Sequence, residues 1–169
     1  MLTVMAKTLL IVYHTLTGGT LQMAQAAAGG ADDAEDSLTV RLVRAPQAQA
    51  ADVLSADGYI FATPENLASM AGLMKDFFDR TYYPVLERIE GRPYACMVCA
   101  GSDGQTAARQ VERIATGWRL KQVAPTLIVN VQAQTPEAIL ARKTIAPDDL
   151  QRCRDLGAAL ASGLMLGLF

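Results

Sequence analysis

The feature that most constrains the fold is a short loop between an apolar, strand-like run and a helical pattern. The run is Thr8–Tyr13, and the loop that follows it is His14-Thr15-Leu16-Thr17-Gly18-Gly19-Thr20. Threonine hydroxyls and glycine N–H groups offer donors to an anion, and the N-terminus of a helix adds partial positive charge. A strand that passes through such a loop directly into a helix predicts an α/β fold with a phosphate-binding turn.

The residues that the loop lacks narrow the choice of ligand. No Lys or Arg lies between Lys7 and Arg41. A P-loop needs a lysine that reaches the β- and γ-phosphates, and a dinucleotide-binding turn needs a third glycine. The loop therefore predicts a single phosphate monoester, held by amides and hydroxyls without a cationic side chain. The alternative is a turn that only caps a helix.

Five strand-like segments alternate with helical patterns along the chain. They are residues 8–13, 38–42, 57–64, 94–100 and 127–131. Four are continuously apolar, as buried parallel strands are, while 38–42 alternates apolar and polar residues and so predicts an edge strand. With right-handed crossovers, these patterns predict an α/β doubly wound, three-layer sandwich whose five-stranded parallel sheet has the order 2-1-3-4-5.

Glycine and proline set the expected ends of the elements. The helix after the loop is expected to end at Gly29-Gly30, and Pro64 is expected to turn the chain out of the sheet. Pro147 suits the first turn of a final helix. Segment 132–146 is the one long stretch outside the core, and we expect it to hold a short helix and to serve as a lid or a subunit contact.

Apolar residues at helical spacing mark part of the core. A helix from about Ser69 is expected to bury the side chains Leu73, Met74, Phe77 and Phe78. Trp118 either covers a site or packs on the core at the end of a helix. The apolar C-terminal residues and the helix over 70–78 are compatible with a homodimer or a tetramer.

Length and charge bound the class of protein. The chain has 169 residues, 19% of them charged, and a formal net charge of −2. This length predicts a single domain, residues 1–169. The charge does not indicate binding to nucleic acid or to an anionic membrane. Residues 1–6 carry no charged leader, and the apolar run after them is only strand length, so we expect neither a signal peptide nor a membrane span.

The cysteines indicate a reducing environment. Three cysteines are odd in number and too few for a secreted disulfide framework, which predicts a cytoplasmic location. Cys96 and Cys99 form a C-x-x-C spacing inside a strand-like run, where residues three apart point to opposite faces. Buried core thiols are therefore expected rather than a thioredoxin-like redox pair.

Three loops are expected to meet beyond the carboxyl ends of the strands, where ligands bind in sheets of this order. They follow the first, third and fourth strands, and their small residues suit a phosphate on the first loop and a flat ring beside the other two. The candidate ligand-binding residues are Thr15, Leu16, Thr17, Gly18, Gly19 and Thr20; Pro64, Glu65, Asn66, Leu67 and Ala68; and Gly101, Ser102, Asp103 and Gly104. The pattern contains no recognisable metal ligands.

Two of these loops resemble those of known FMN proteins. The spacing Thr15-x-Thr17-Gly18-x-Thr20 resembles the T/S-x-T-G-x-T loop with which flavodoxins bind the phosphate of FMN. Segment 63–80, Thr-Pro-Glu-Asn-Leu-Ala-Ser-Met-Ala-Gly-Leu-Met-Lys-Asp-Phe-Phe-Asp-Arg, is similar to that of flavodoxin-like NAD(P)H:quinone oxidoreductases of the Trp-repressor-binding-protein type and of the related NADPH-dependent FMN reductases. Those families follow the third strand with a Pro, a few isoalloxazine-contacting residues, Met-Ala-Gly and a Met-Lys helix.

The resemblance implies a flavodoxin-like fold that binds FMN noncovalently. The phosphate would lie at Thr15–Thr20 and the ring between Pro64–Ala68 and Gly101–Gly104. Asp103 would either lie beside the ring, where a carboxylate disfavours an anionic reduced form, or be a surface residue that caps the next helix. His14, the only histidine, would contact the phosphate or pack at the end of its strand.

The implied function is that of an FMN-dependent oxidoreductase. It would take a hydride from NADH or NADPH and reduce a quinone, a flavin or a similar acceptor, and the resemblance assigns no catalytic side chain because the chemistry belongs to FMN. An alternative is a flavodoxin-type carrier that shuttles electrons between protein partners, although such carriers are typically strongly acidic and this chain is nearly balanced. A third alternative is an interaction module without flavin, against which the intact Thr/Gly loop argues.

Overall fold

The computed structural model describes residues 6–169, in which strands and helices alternate. The expectation that no leader segment occupies residues 1–6 falls mostly on residues outside that range. The strands are β1 (Thr8–Tyr13), β2 (Thr39–Arg44), β3 (Gly58–Asn66), β4 (Ser69–Met70), β5 (Pro93–Ala100), β6 (Lys121–Gln122) and β7 (Leu127–Asn130). The helices are α1 (Gly19–Ala34), α2 (Ala50–Ser55), α3 (Gly72–Val85), α4 (Gln105–Gly117), α5 (Pro136–Leu140) and α6 (Pro147–Leu166).

The main strands form a parallel sheet in the order β2-β1-β3-β5, with β6 and β7 both paired to β5. β6 pairs with the start of β5 and β7 with its end, so two short strands occupy the position predicted for one. Pro125 lies between them and cannot donate to a ladder, which accounts for the break. The predicted order and the edge position of β2 are confirmed, but the sheet has seven strands instead of five.

The third strand continues past the proline that was expected to end it. The last residue of β1, Tyr13, pairs with Ala62. Among the described residues, β3 therefore has no partner strand on the β1 side from Thr63 onward. Pro64 is tolerated there because an exposed strand edge needs no donor, and on its other side it is still in register with Cys99. β3 then turns through Leu67 and Ala68 into the antiparallel strand β4.

Helices cover both faces of the sheet. α2, α3 and α4 bury an aromatic cluster against one face, in which the Trp118 ring lies 5.7 Å from both Phe78 and Tyr82. Trp118 is fully buried, so it is a core residue and not a cover for a site. Leu73 is half exposed, contrary to expectation, because the buried positions of α3 are Met74, Phe77, Phe78, Thr81 and Val85, and Leu73 falls beside that stripe.

On the other face, α1 and α6 pack against each other through glycines. A methyl group at Gly30 would lie 2.0 Å from the carbonyl oxygen of Arg154, and one at Gly157 would lie 1.9 Å from that of Ala27. The prediction that Gly29-Gly30 ends the first helix is therefore wrong: α1 runs on to Ala34. The glycine serves a close contact between helix backbones, which a local pattern does not reveal.

The three cysteines are free and buried, as expected. Cys96 lies in the cluster under α2, α3 and α4, and Cys99 lies in the cluster under α1 and α6, so the two thiols face opposite sides of β5. Burial raises the pKa of Cys96 and of Cys153 to about 12, and that of Cys99 to about 11. Within residues 6–169, no helix has both the length and the apolar character needed to cross a bilayer.

We expect Gly157→Ala to lower the free energy of unfolding by about 2–3 kcal/mol, because the added methyl group meets backbone that cannot move aside cheaply. Urea unfolding at equilibrium measures the loss. Gly72→Ala is the matched control, since among residues 6–169 nothing beyond its own helix turn and chain neighbours lies within 4 Å of the new methyl group, and alanine favours a helix. Equal stability of the two variants would contradict the close contact between α1 and α6.

The raised pKa values predict that the thiols of the folded protein react slowly. Ellman's reagent attacks through the thiolate, and burial keeps all three cysteines protonated near pH 8. We expect fast reaction of all three only after unfolding in guanidinium. In the folded protein, fast modification of any one thiol at pH 8 would contradict this prediction.

Candidate functional site

A cavity of about 530 Å³ lies beyond the carboxyl ends of β1, β3 and β5. This volume falls in the range of small-molecule and cofactor pockets, and the position is the one that ligands occupy in open α/β sheets. Its lining residues are Thr15, Leu16, Thr17, Gly19, Thr20, Pro64, Glu65, Asn66, Leu67, Ala68, Cys99, Ala100, Gly101, Ser102, Val131, Ala133, Ile139 and Lys143. The three loops singled out in the sequence therefore meet at one cavity.

The predicted residues absent from that lining are Gly18, Asp103 and Gly104. Gly18 lies immediately beside the cavity, where its left-handed φ of 89° turns the chain into α1. Gly104 has the corresponding role at α4, with φ 92°. Asp103 is exposed, which agrees with an expected surface position, but among the described residues its side chain contributes no cap to α4. Its other expected position, beside a bound ring, stays a prediction.

The loop at the start of α1 forms the polar end of the cavity. The hydroxyl of Thr15 accepts a hydrogen bond of 3.0 Å from the N–H of Gly18. In the part of the chain that the structure describes, no side chain caps the first turn of α1, which leaves its amide groups facing this end. Thr20 is buried, and its hydroxyl has no hydrogen bond of normal geometry within residues 6–169, since the Cys99 thiol beside it is a weak partner. This end offers donors and an unsatisfied hydroxyl.

A second segment, residues 139–145 after β7, closes over this loop. The N–H of Lys143 donates to the carbonyl oxygen of Thr17 at 2.9 Å, and the Lys143 side chain lines the cavity. The prediction of a site without a cationic side chain therefore missed Lys143. The lysine follows the loop by more than a hundred residues, so inspection of the loop alone did not find it. Its segment was recognised in the sequence only as a lid or a subunit contact.

The other end of the cavity is lined mainly by small and apolar residues. On one side lies the β3–β4 turn, where Leu67 and Ala68 have φ values of 49° and 60° and the Leu67 side chain is fully exposed. On the other side lies Gly101, where a methyl group would meet the carbonyl oxygen of Ala133 at 2.6 Å. Two non-glycine residues in left-handed conformations are strained, and such strain concentrates at functional sites.

Glu65 fixes the position of that turn. Its carboxylate accepts from the N–H groups of Gly104, at 2.9 Å, and Ala107, at 3.5 Å, at the start of α4. Gln110 adds a second connection, since its side-chain oxygen accepts from the N–H of Met70 at 2.8 Å. Glu65 lines the cavity as predicted, but its carboxylate is occupied in joining the turn to α4.

His14 packs at the end of β1 and does not line the cavity. Its backbone N–H donates to the carbonyl oxygen of Ala62 at 3.1 Å, and the residue is 8% exposed. Burial, and secondarily the charge of Arg44, lowers the pKa of His14. Of its two expected roles, the structure matches packing at a strand end.

Several lining residues were not predicted from the sequence: Cys99, Ala100, Val131, Ala133, Ile139 and Lys143. Cys99 and Ala100 end β5, directly before the predicted Gly101, so extending the loop by two residues would have found them. Val131 and Ala133 follow β7, and their place beside β5 depends on sheet pairing. Nothing in their own sequence pattern marks them.

The chain is similar to FMN proteins and quinone reductases. The model of a family described as NADPH-dependent FMN reductase matches residues 17–135. A flavodoxin of Aquifex aeolicus is 29% identical over 157 residues, covering 90% of this chain and 84% of that protein. An NAD(P)H dehydrogenase (quinone) of Acidithiobacillus ferrooxidans is 35% identical over 92 residues, which is 43% of this chain and 46% of that protein.

Solved structures share the fold. A flavodoxin from the domain Archaea superposes with a TM-score of 0.75 at 18% identity, covering 94% of this chain and 99% of that one. A WrbA-like flavodoxin from Agrobacterium tumefaciens superposes with a TM-score of 0.67 at 18% identity, covering 95% and 99%. These likenesses confirm the predicted flavodoxin-like α/β fold, and the family match confirms the resemblance seen in the loops. The chain belongs to the NADPH-dependent FMN reductase family of flavodoxin-like proteins.

Proposed function

We propose that this protein binds FMN noncovalently in the cavity and uses it as an NAD(P)H-dependent oxidoreductase, with a quinone, a flavin or a similar small molecule as acceptor. The observation that carries the proposal is the polar end of the cavity. There, the uncapped first turn of α1 and the buried, unsatisfied hydroxyl of Thr20 face the same space. Helix N-termini of this kind bind phosphate groups.

The proposed phosphate contacts are the residues Thr15, Leu16, Thr17, Gly18, Gly19 and Thr20. Gly19 supports the fit because no side chain is accommodated there: a methyl group would lie 2.8 Å from the sulfur of Cys99 and 3.2 Å from Cβ of Lys143. Backbone amides can therefore approach a bound anion without an intervening side chain. A hydroxyl and amide donor set of this kind matches a phosphate monoester.

The proposed ring contacts lie at the apolar end. They are Pro64, Glu65, Asn66, Leu67 and Ala68 on one side and Gly101 and Ser102 on the other, with Asp103 and Gly104 now outside the lining. Gly101 has no side chain and no room for one against the carbonyl oxygen of Ala133, so a flat ring can approach the backbone on this side. The carboxylate of Glu65 is held by α4 and is therefore occupied rather than free to bond to that ring.

FMN, when bound, supplies the capacity to accept a hydride from a nicotinamide and to pass electrons to an acceptor. The chain's own residues bind and orient it. The connections of Glu65 and Gln110 keep the β3–β4 turn in place, and the backbone hydrogen bond from Lys143 to Thr17 holds residues 139–145 against the loop at the polar end. No side chain of this chain is required to transfer a proton, and we assign none as catalytic.

A carrier function is the second candidate. It is favoured by the similarity to the Aquifex aeolicus flavodoxin, which extends over 90% of this chain. The family description and the quinone reductase relative favour an enzyme. Charge separates the two further: a formal net charge of −2 gives little electrostatic steering toward a protein partner.

The two functions predict different spectra. Purified protein is incubated with FMN, desalted, and then mixed with NADH or NADPH without oxygen. We expect a retained flavin spectrum that bleaches promptly on addition of the nicotinamide. A retained spectrum that does not bleach would favour the carrier, and loss of the flavin on desalting would contradict FMN binding.

Thr17→Ala tests the polar end of the cavity. Loss of a hydrogen bond to a charged phosphate is expected to weaken FMN binding by about tenfold or more, measured by quenching of flavin fluorescence. Thr116→Ala is the matched control, because Thr116 lies at the far end of α4 and donates only to Glu112 within its own helix. Unchanged FMN affinity in Thr17→Ala would count against phosphate binding at this loop.

A further inference from the structure

We propose that Lys143 is the specificity-determining residue that makes this site select a phosphorylated flavin over riboflavin. The proposal rests on the proposed FMN function and adds a cation to a phosphate site that otherwise offers only amides and hydroxyls. It concerns the segment that closes over the polar end of the cavity.

The position of Lys143 supports this role. Its Cβ would lie 3.2 Å from a methyl group built on Gly19, so the side chain starts beside the first residue of α1. Its N–H donates to the carbonyl oxygen of Thr17 at 2.9 Å. The side chain of Lys143 therefore starts beside the loop whose amides would hold a phosphate, in a residue that lines the cavity.

Gln22 holds the lysine in this position. Its side-chain nitrogen donates to the carbonyl oxygens of Gly18, at 3.0 Å, and Lys143, at 2.8 Å, and its side-chain oxygen accepts from the N–H of Ile145 at 3.0 Å. One side chain in the first turns of α1 therefore fastens the loop to residues 143–145. Gln22 is a positioning residue for Lys143.

The ammonium group of Lys143 is available for a ligand. It donates to the carbonyl oxygens of Ile139 and Ala141, and within residues 6–169 no carboxylate lies close enough to form an ion pair with it. An ammonium has three donors, so at least one is left over. Its charge opposes the effect of burial on the pKa of Cys99, which also lines the cavity.

These contacts have a consequence for specificity. A bound phosphate dianion would give the ammonium a charged partner in a partly buried place, where such pairs are stronger than at an open surface. Riboflavin has the same ring and ribityl chain but no phosphate, so it gains nothing from this lysine. The lysine therefore contributes to the difference in affinity between the two flavins and not to ring binding.

Lys143→Met tests the proposal, because it removes the charge and keeps most of the side-chain stem. The dissociation constants of FMN and riboflavin are measured by fluorescence quenching at low and high ionic strength. We expect FMN affinity to fall by about tenfold at low salt, riboflavin affinity to stay unchanged, and the salt dependence of FMN binding to diminish. Lys121→Met, at an exposed lysine of β6, is the control and should leave all three properties unchanged.

The outcomes separate the possible failures. If Lys143→Met weakens both flavins equally, the lysine acts only as a structural support for its own turn, and the proposal is overturned. Unchanged FMN affinity with unchanged salt dependence overturns it as well. Wild-type protein that binds neither flavin contradicts the proposed function itself, whereas wild-type protein that binds FMN with the same affinity as the variant contradicts only the role of Lys143.

Discussion

The close packing of α1 is the constraint on which the rest of the site depends. Its first residue, Gly19, leaves no room for a side chain against Cys99 and Lys143, and further along Gly30 meets the backbone of α6. These contacts fix the height and direction of the helix relative to β1 and β5. Because the first turn of α1 forms the polar end of the cavity, contacts well outside the cavity determine where an anion would be held.

The cavity walls come from separate parts of the chain, and polar side chains bonded to backbone join them. Gln22 fastens the loop to the segment after β7, and Glu65 fastens the β3–β4 turn to α4. Each of these side chains satisfies backbone groups that no regular element pairs, including amides at the start of a helix. The walls are thus positioned before any ligand arrives, which limits the entropy lost on binding.

Local sequence patterns were sufficient for the main strands and for two of the three loops, but not for β4 or for the division of the last strand into β6 and β7. The apolar run before Thr15 and the glycines after it depend only on neighbours in sequence, so β1, the loop and the start of α1 were predictable. The prediction that the helix ends at Gly30 was wrong because the glycine is needed for contact with α6, which lies more than a hundred residues away in the sequence. Lys143 was missed because its place beside the loop also depends on a contact distant in sequence. Pro64 was wrongly expected to end the third strand, because a proline is tolerated there only where β1 no longer pairs with β3. The carboxylate that accepts from the N–H of Gly104 at the start of α4 belongs to Glu65 and not to the adjacent Asp103.

The two edges of the sheet bear on how copies of this chain can associate. β2 carries two arginines, Arg41 and Arg44, along its open edge, and the opposite edge is broken by Pro125 into the short strands β6 and β7. Charged residues, brevity and proline each oppose pairing of one sheet edge with another. Within residues 6–169, these edge features oppose strand-by-strand extension into larger sheets and favour helical surfaces for self-association.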